Sequence, residues 1–258
     1  MSAPKPWDRS MKKVCVHSIA FVVLTMLTQL GGFAWLIALA CKWRISVFIG
    51  AYILLSVMAT FVAPHFSRVP LSCMSDSPLA VQSWFYCVMN RNYVHPDIRA
   101  ALQDLATEID NTYPGTKTLV LDANFPFLTG FPLLPHLSHD DGRKVDIAFY
   151  YRNAQGGYLS GRTRSPIGYF AFEQGPTNCP DRYLDLRWDL DLLQPVWPDW
   201  QIEPKRTRFA LQTLASDPRI GKIFVEPHLL ARLRLDGPKF RFQGCNAARH
   251  DDHIHFQL

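Results

Sequence analysis

Five of the chain's nine histidines fall in two short clusters more than a hundred residues apart. The first is Pro135-His136-Leu137-Ser138-His139-Asp140-Asp141-Gly142-Arg143-Lys144-Val145-Asp146. The second, near the end of the chain, is His250-Asp251-Asp252-His253-Ile254-His255-Phe256. A catalytic zinc takes three nitrogen or oxygen ligands from the protein and leaves a fourth position for water. One His and one Asp from the first cluster and one His from the second make such a set. His253 and His255 are two apart, so in an extended segment both side chains face the same way. One can then bind metal while the other stands beside it. Gly142 lets the chain turn between His139 and Asp146. Nitrogen and oxygen donors of this kind bind several divalent ions, of which Zn2+ is the expected one.

The run Ser138-His139-x-x-Gly142-x-x-x-Asp146, followed late by His253-x-His255, resembles the zinc peptidase superfamily of lysostaphin-type enzymes, D-Ala-D-Ala metallopeptidases and the hedgehog signalling domain. It is most similar to the penicillin-insensitive murein endopeptidases. Those enzymes have a histidine three residues before the first ligand, matched by His136, and another ahead of the late pair, matched by His250. The stretch Ile223 to Leu230 is similar to the strand and helix that precede their last motif. The resemblance covers residues 95–258 and is confined to motifs. It implies that His139, Asp146 and His255 hold the zinc, that His253 is the general base, and that His136 and His250 assist in the pocket. The implied activity is a zinc metallopeptidase that hydrolyses an amide bond in peptidoglycan cross-links. A zinc would activate water, and an imidazole with an ordinary pKa near 6.5 can take its proton. Asp140, Asp141 and Asp252 are candidates to orient imidazoles. Asp140-Asp141 departs from the family, which has Gln or another uncharged residue there. The alternative is a catalytically inactive zinc-binding or signalling module on the same fold.

The elements that must position these residues can be read in outline. Pro96 opens an amphipathic helix with Ile98, Ala101, Leu102, Leu105 and Ile109 at helical spacing. Thr118 to Leu121 reads as a strand, and a Pro- and Phe-rich loop at 124–135 leads into the first cluster. Val145 to Tyr151 reads as a strand carrying Asp146. Residues 152–205 are loop-rich; Trp188, Trp197 and Trp200 there could line a groove, but core packing is the better expectation. Thr207 to Ser216 reads as a helix, Lys222 to Val225 as a strand and Pro227 to Leu233 as a short helix. The last strand carries the second cluster. The expected fold is α+β: a small antiparallel sheet with flanking helices and long loops around a zinc site.

A transmembrane hairpin is expected ahead of this domain. Val14 to Cys41 and Ile45 to Ala63 are nearly free of charge, and each is long enough to cross a bilayer. Residues 1–13 read as a polar tail, 14–63 as two spans joined at Lys42-Trp43-Arg44, 64–94 as a connector and 95–258 as the catalytic domain. Lys5, Arg9, Lys12, Lys13, Lys42 and Arg44 against Asp8 alone account for the whole net charge of +5. The remaining chain is balanced, so nothing supports nucleic-acid binding. Cys73, Cys87, Cys179 and Cys245 permit three pairings, and disulfides would place the domain outside the cytosol. Two spans put both ends on one side, and the basic tail then favours a cytoplasmic domain. A peptidoglycan substrate demands the opposite: a bacterial inner-membrane protein with its domain on the outer, periplasmic face.

Overall fold

The computed structural model describes residues 6–74, 77–182, 187 and 189–258, in a mixed α and β arrangement. Trp188 lies outside the described residues. The first apolar run is two helices, not one. Helix α1 (Pro6–Thr28) stops at Gln29, which takes a left-handed φ of 64°, and α2 (Gly31–Leu39) folds back along it. The break is built locally: Thr28 Oγ1 accepts from the Gly31 N–H, so a side chain of α1 satisfies the first free N–H of the new helix. Gly32 lets the two helices close together, because a Cβ there would lie 1.9 Å from Thr25 Oγ1. Phe21 meets Phe33, and His17 meets Trp35, so α1 and α2 are antiparallel. Helix α3 (Arg44–Val62) then runs antiparallel to α2, with Trp35 against Phe48 and Leu30 against Ala59 and Ala63. Two helical stretches, Ser10–Thr28 and Arg44–Phe66, are long and apolar enough to cross a membrane. At 1.5 Å per residue α2 is only about 13.5 Å long, which is half a span.

The domain that follows is organised by a six-stranded sheet in the order β2 (Leu79–Val81), β4 (Thr118–Val120), β5 (Lys144–Ala148), β10 (His253–Gln257), β8 (Lys222–Phe224) and β9 (Phe240–Arg241). The inner pairings are antiparallel, and the outermost pair on each side is parallel. Two short ladders, β1 (Val69–Pro70) with β3 (Tyr93–Val94) and β6 (Tyr151–Arg152) with β7 (Gln201–Ile202), sit outside it. Residues 64–94 therefore do more than connect: they supply an edge strand, β2, and the short helix α4 (Trp84–Val88).

Helix α5 (Pro96–Thr112) begins where Pro96 takes the first helical position and the His95 side chain accepts from the Asp97 N–H. Its stripe Ile98, Leu102, Leu105 and Ile109 is fully buried against the sheet beside α6 (Pro204–Ser216), which contributes Ala210, Leu211 and Leu214. Each such aliphatic side chain stabilises the fold by about 1.5–3 kcal/mol. Helix α7 (Pro227–Leu233) covers the β8 end with Leu229 and Leu233. Disulfides join Cys73 to Cys87 and Cys179 to Cys245, while Cys15 and Cys41 are free.

Candidate metal centre

Strands β5 and β10 each have a core face and a site face. Val145 and Ile147 on β5, with Ile254 and Phe256 on β10, are fully buried in the core under α5 and α6. Alternation sends Asp146, His253 and His255 to the opposite face. The ladder register then pairs His255 directly with Asp146. Cβ atoms of directly opposed residues lie about 4.5–5.5 Å apart. A one-residue slip would bury the two imidazoles in the core and expose Ile254, so the hydrophobic pattern itself holds the site in register. His139 comes from the loop before β5. The Arg68 guanidinium pins that loop by donating to the carbonyls of Phe125 and Asp140.

His139, Asp146 and His255 converge with their ligand atoms within 4.8 Å of one another, all buried. His255 Nδ1 lies 2.8 Å from Asp146 Oδ1, His139 Nε2 lies 3.1 Å from His255 Nδ1, and His139 Nε2 lies 3.3 Å from Asp146 Oδ1. Ligand bonds of 2.0–2.1 Å in a tetrahedron separate neighbouring donors by about 3.3 Å, so this triangle fits a small dication such as zinc. The tautomer also fits. His139 Nδ1 donates to the Ala123 carbonyl at 2.8 Å, so Nε2 is the atom that would offer a lone pair to a metal once its proton is displaced. His255 is shifted to about 4, chiefly because burial disfavours its charged form, so it is a neutral donor at pH 7. Burial also opposes a charge on His139, but Asp146 outweighs it and holds the His139 pKa above 6.5. The metal-free cluster is thus knit by imidazole–carboxylate ion pairs on Asp146, to which His253 and His136 also approach, at 3.7 and 3.5 Å.

The other three predicted histidines surround this triangle. His253 Nδ1 is hydrogen-bonded to Asp252 Oδ1, and its Nε2 faces Asp146 Oδ1. Burial lowers the His253 pKa, but Asp146 and Asp252 more than offset this and raise it to about 9. His250 packs its ring 4.9 Å from that of His253 and 5.6 Å from that of His255. It is buried, its Nδ1 has no hydrogen-bond partner, and burial followed by the neighbouring imidazoles holds its pKa well below 6.5. His136 is the most open of the six, with its Nδ1 2.9 Å from Asp122 Oδ2.

Sequence reasoning missed Tyr169, Asp122 and Arg91. The Tyr169 hydroxyl donates to Asp146 Oδ2 at 2.6 Å and accepts the Asp122 N–H at 3.1 Å. Its ring stands 4.7 Å from His136 and 5.0 Å from His253. Asp122 is fully buried, and although burial favours its neutral form, the bidentate Arg91 and His136 hold its pKa below 3.8. Next to Tyr169, Phe170 takes a left-handed φ of 65°, a conformation that costs a non-glycine residue energy. Its N–H donates to Asp252 Oδ2 at 2.7 Å, while its carbonyl accepts from Gln194 and Trp197. Asp252 thereby joins His253 to the segment that carries Tyr169 and Phe170.

Asp252 orients an imidazole as expected, but Asp140 and Asp141 do not. Lys144 Nζ takes both, at 3.3 and 2.7 Å, so they neutralise a nearby lysine instead. Trp197 and Trp200 line a cleft of about 880 Å³ with Arg152, Arg164 and Arg232, and Trp200 also packs against the core as expected. No family model matches the chain, and no curated protein matches it.

Proposed function

We propose that the chain is a membrane-anchored zinc metallopeptidase that hydrolyses an amide bond in peptidoglycan cross-links. The observation that carries this is the buried triangle of His139 Nε2, Asp146 Oδ1 and His255 Nδ1 with a further imidazole, His253, poised at its edge. A zinc held there would supply Lewis acidity, which lowers the pKa of a water to about 7 and polarises a scissile carbonyl. The protein's part is proton transfer. A cation held by Asp146 would offset the main charge that raises the His253 pKa, and His253 Nε2, then neutral, would accept the proton of the attacking water and deliver it to the leaving amine nitrogen. The Asp252 carboxylate accepts from His253 Nδ1–H, fixes the tautomer and stabilises the imidazolium between those two steps. His250, with its unpartnered Nδ1, and the more open His136 are placed to contact the substrate or the oxygen that gains charge.

The helix arrangement supports a bacterial inner-membrane protein with its domain on the periplasmic face. Gln29 Oε1 accepts from Phe127 N, and Ala63 packs with Tyr93, so the C-terminal ends of α1 and α3 both abut the domain. Their N-terminal ends, with Lys12, Lys13, Lys42 and Arg44, lie at the far end. If both helices cross, all this basic charge falls on the side opposite the domain, as the positive-inside tendency asks. The half-span α2 thus removes the conflict that a plain hairpin creates. Two disulfides on the domain point to the same side.

The test is cleavage of defined cross-linked muropeptides by the purified, zinc-loaded full chain, read by mass spectrometry. The expected result is addition of one water with separation of the two peptides, lost in His253→Ala while metal is retained. Intact muropeptides with fully loaded protein would overturn the reading.

A further inference from the structure

Helix α3 presents an apolar surface all along its length, from Ile45 and Ile49 through Val57 to Phe61. The domain does not stand clear of it. Tyr52 lies ten residues before the end of α3, which is about 15 Å of helix. Its hydroxyl nevertheless donates to the carbonyl of Val88, the last residue of α4, at 2.5 Å. Asn90 Nδ2 completes the contact by donating to Tyr52 Oη at 2.8 Å and to Ser56 Oγ at 3.2 Å. The backbone at the end of α4 is therefore satisfied from within α3, the condition under which non-helical backbone can sit at membrane depth.

The surface that α4 shows at this level is apolar. Trp84 is 63% exposed, Val88 55% and Phe85 44%, and Met74, tied alongside by the Cys73–Cys87 disulfide, is 82% exposed. Trp84 to Asn90 contains no charged residue. Between α4 and α3 runs a groove of about 490 Å³ lined by Ile53, Val57, Met74, Trp84 and Val88. A second stretch free of Asp, Glu, Lys and Arg, residues 123–139, runs beside the end of α3 at the Phe66–Phe127 ring contact and exposes Leu128, Leu134 and Leu137. The last two flank His136.

We propose that the domain is seated in the leaflet on its own side of the membrane, with lipid acyl chains covering Met74, Trp84, Phe85 and Val88. Leu134 and Leu137 then hold the mouth of the histidine cluster against the lipid surface. The occupant is lipid because the patch continues the exposed face of α3 at the depth that Tyr52 defines, and because the groove beside it has the apolar lining an acyl chain fits. This rests on the membrane-spanning part of the proposed function and not on its hydrolytic part. It narrows the substrate to peptide held within reach of the membrane surface.

The test is tryptophan quenching in the full chain, reconstituted into phosphatidylcholine vesicles with brominated acyl chains and compared with unbrominated ones. Trp35, between His17 and Phe48, reports insertion of the helices themselves. Trp84→Phe should lose a bromolipid-quenched component while the Trp35 signal stays quenched. Leu137→Trp on that background should gain one. Equal quenched emission in the wild type and Trp84→Phe would overturn the seated domain with the spans intact. Gain of emission at position 137 that iodide in the buffer quenches and bromolipid does not would overturn the placement of the mouth. No quenching in any protein would remove the membrane reading and this one with it.

Discussion

Tyr169→Phe removes one oxygen atom from the site and leaves every ligand in place. The hydroxyl is fully buried, and burial followed by the charge on Asp146 keeps its pKa well above 10, so it serves Asp146 as a donor at any working pH. With it gone, Asp146 Oδ2 keeps, among the described residues, the more distant His136 Nδ1 at 3.5 Å, and the carboxylate is freer to turn its second oxygen toward a bound metal. Loss of a partner of this kind typically weakens metal affinity about 10–100-fold. The Asp122 N–H also loses its acceptor, and a buried donor left unpaired costs about 1–3 kcal/mol. A hydrogen bond to the charged Asp146 adds about 1.5–3 kcal/mol. The variant should therefore bind zinc about 10–100-fold more weakly in a chelator competition titration. Its metal-free form should also be destabilised by a few kcal/mol in denaturant unfolding. Wild-type zinc affinity in a variant that is destabilised would refute the idea that Tyr169 orients the ligand. Wild-type stability would refute the burial and bonding from which the magnitude is drawn.

Asp252→Asn should leave zinc content unchanged and lower kcat for muropeptide cleavage by about 10²–10⁴-fold, the range for loss of general acid–base function. Steady-state kinetics beside metal analysis checks this, and an equal loss of metal would place Asp252 among the groups that hold the site together. Zinc affinity should rise with pH through and beyond 6.5. His139 carries a proton in the metal-free site with a pKa raised above that value, and metal must displace it. Calorimetry in buffers of different ionisation enthalpy should show protons released on binding at pH 6.5 and below, and their absence would contradict this protonation state. Removal of the Cys179–Cys245 disulfide, whose partners are 66 residues apart, should destabilise the domain by about 4 kcal/mol from chain entropy. Urea unfolding of Cys179→Ser, Cys245→Ser measures it, and an unchanged midpoint would contradict the bond.

The elements that carry the candidate metal triangle were legible because period and position agree. Ile98, Leu102, Leu105 and Ile109 repeat at helical spacing, and all are buried in α5. His253 and His255 alternate with Ile254 and Phe256, so a strand with one core face was the only economical reading, and β10 pairs it with Asp146. Tyr169, Asp122 and Arg91 carried no such signal. Each is a single residue in an aperiodic segment whose partner is chosen by the tertiary fold. The break at Gln29 was hidden for a different reason. Hydropathy averages the uncharged polar turn Thr28-Gln29 into the apolar runs on either side, and only Gln29 with the small residues Gly31 and Gly32 beside Thr25 and Thr28 marks it. Asp140 and Asp141 misled because proximity in sequence to His139 is not proximity in space, and Lys144 takes both.

The most direct test of the account is the metal content of the purified full chain in detergent, measured by elemental mass spectrometry beside a His139→Ala, His255→Ala variant. Close to one zinc per chain, lost in the variant, is the predicted result. A well-folded parent that takes up no stoichiometric metal from zinc-containing buffer would contradict it. The triangle on Asp146 would then be an ion-pair cluster and nothing more.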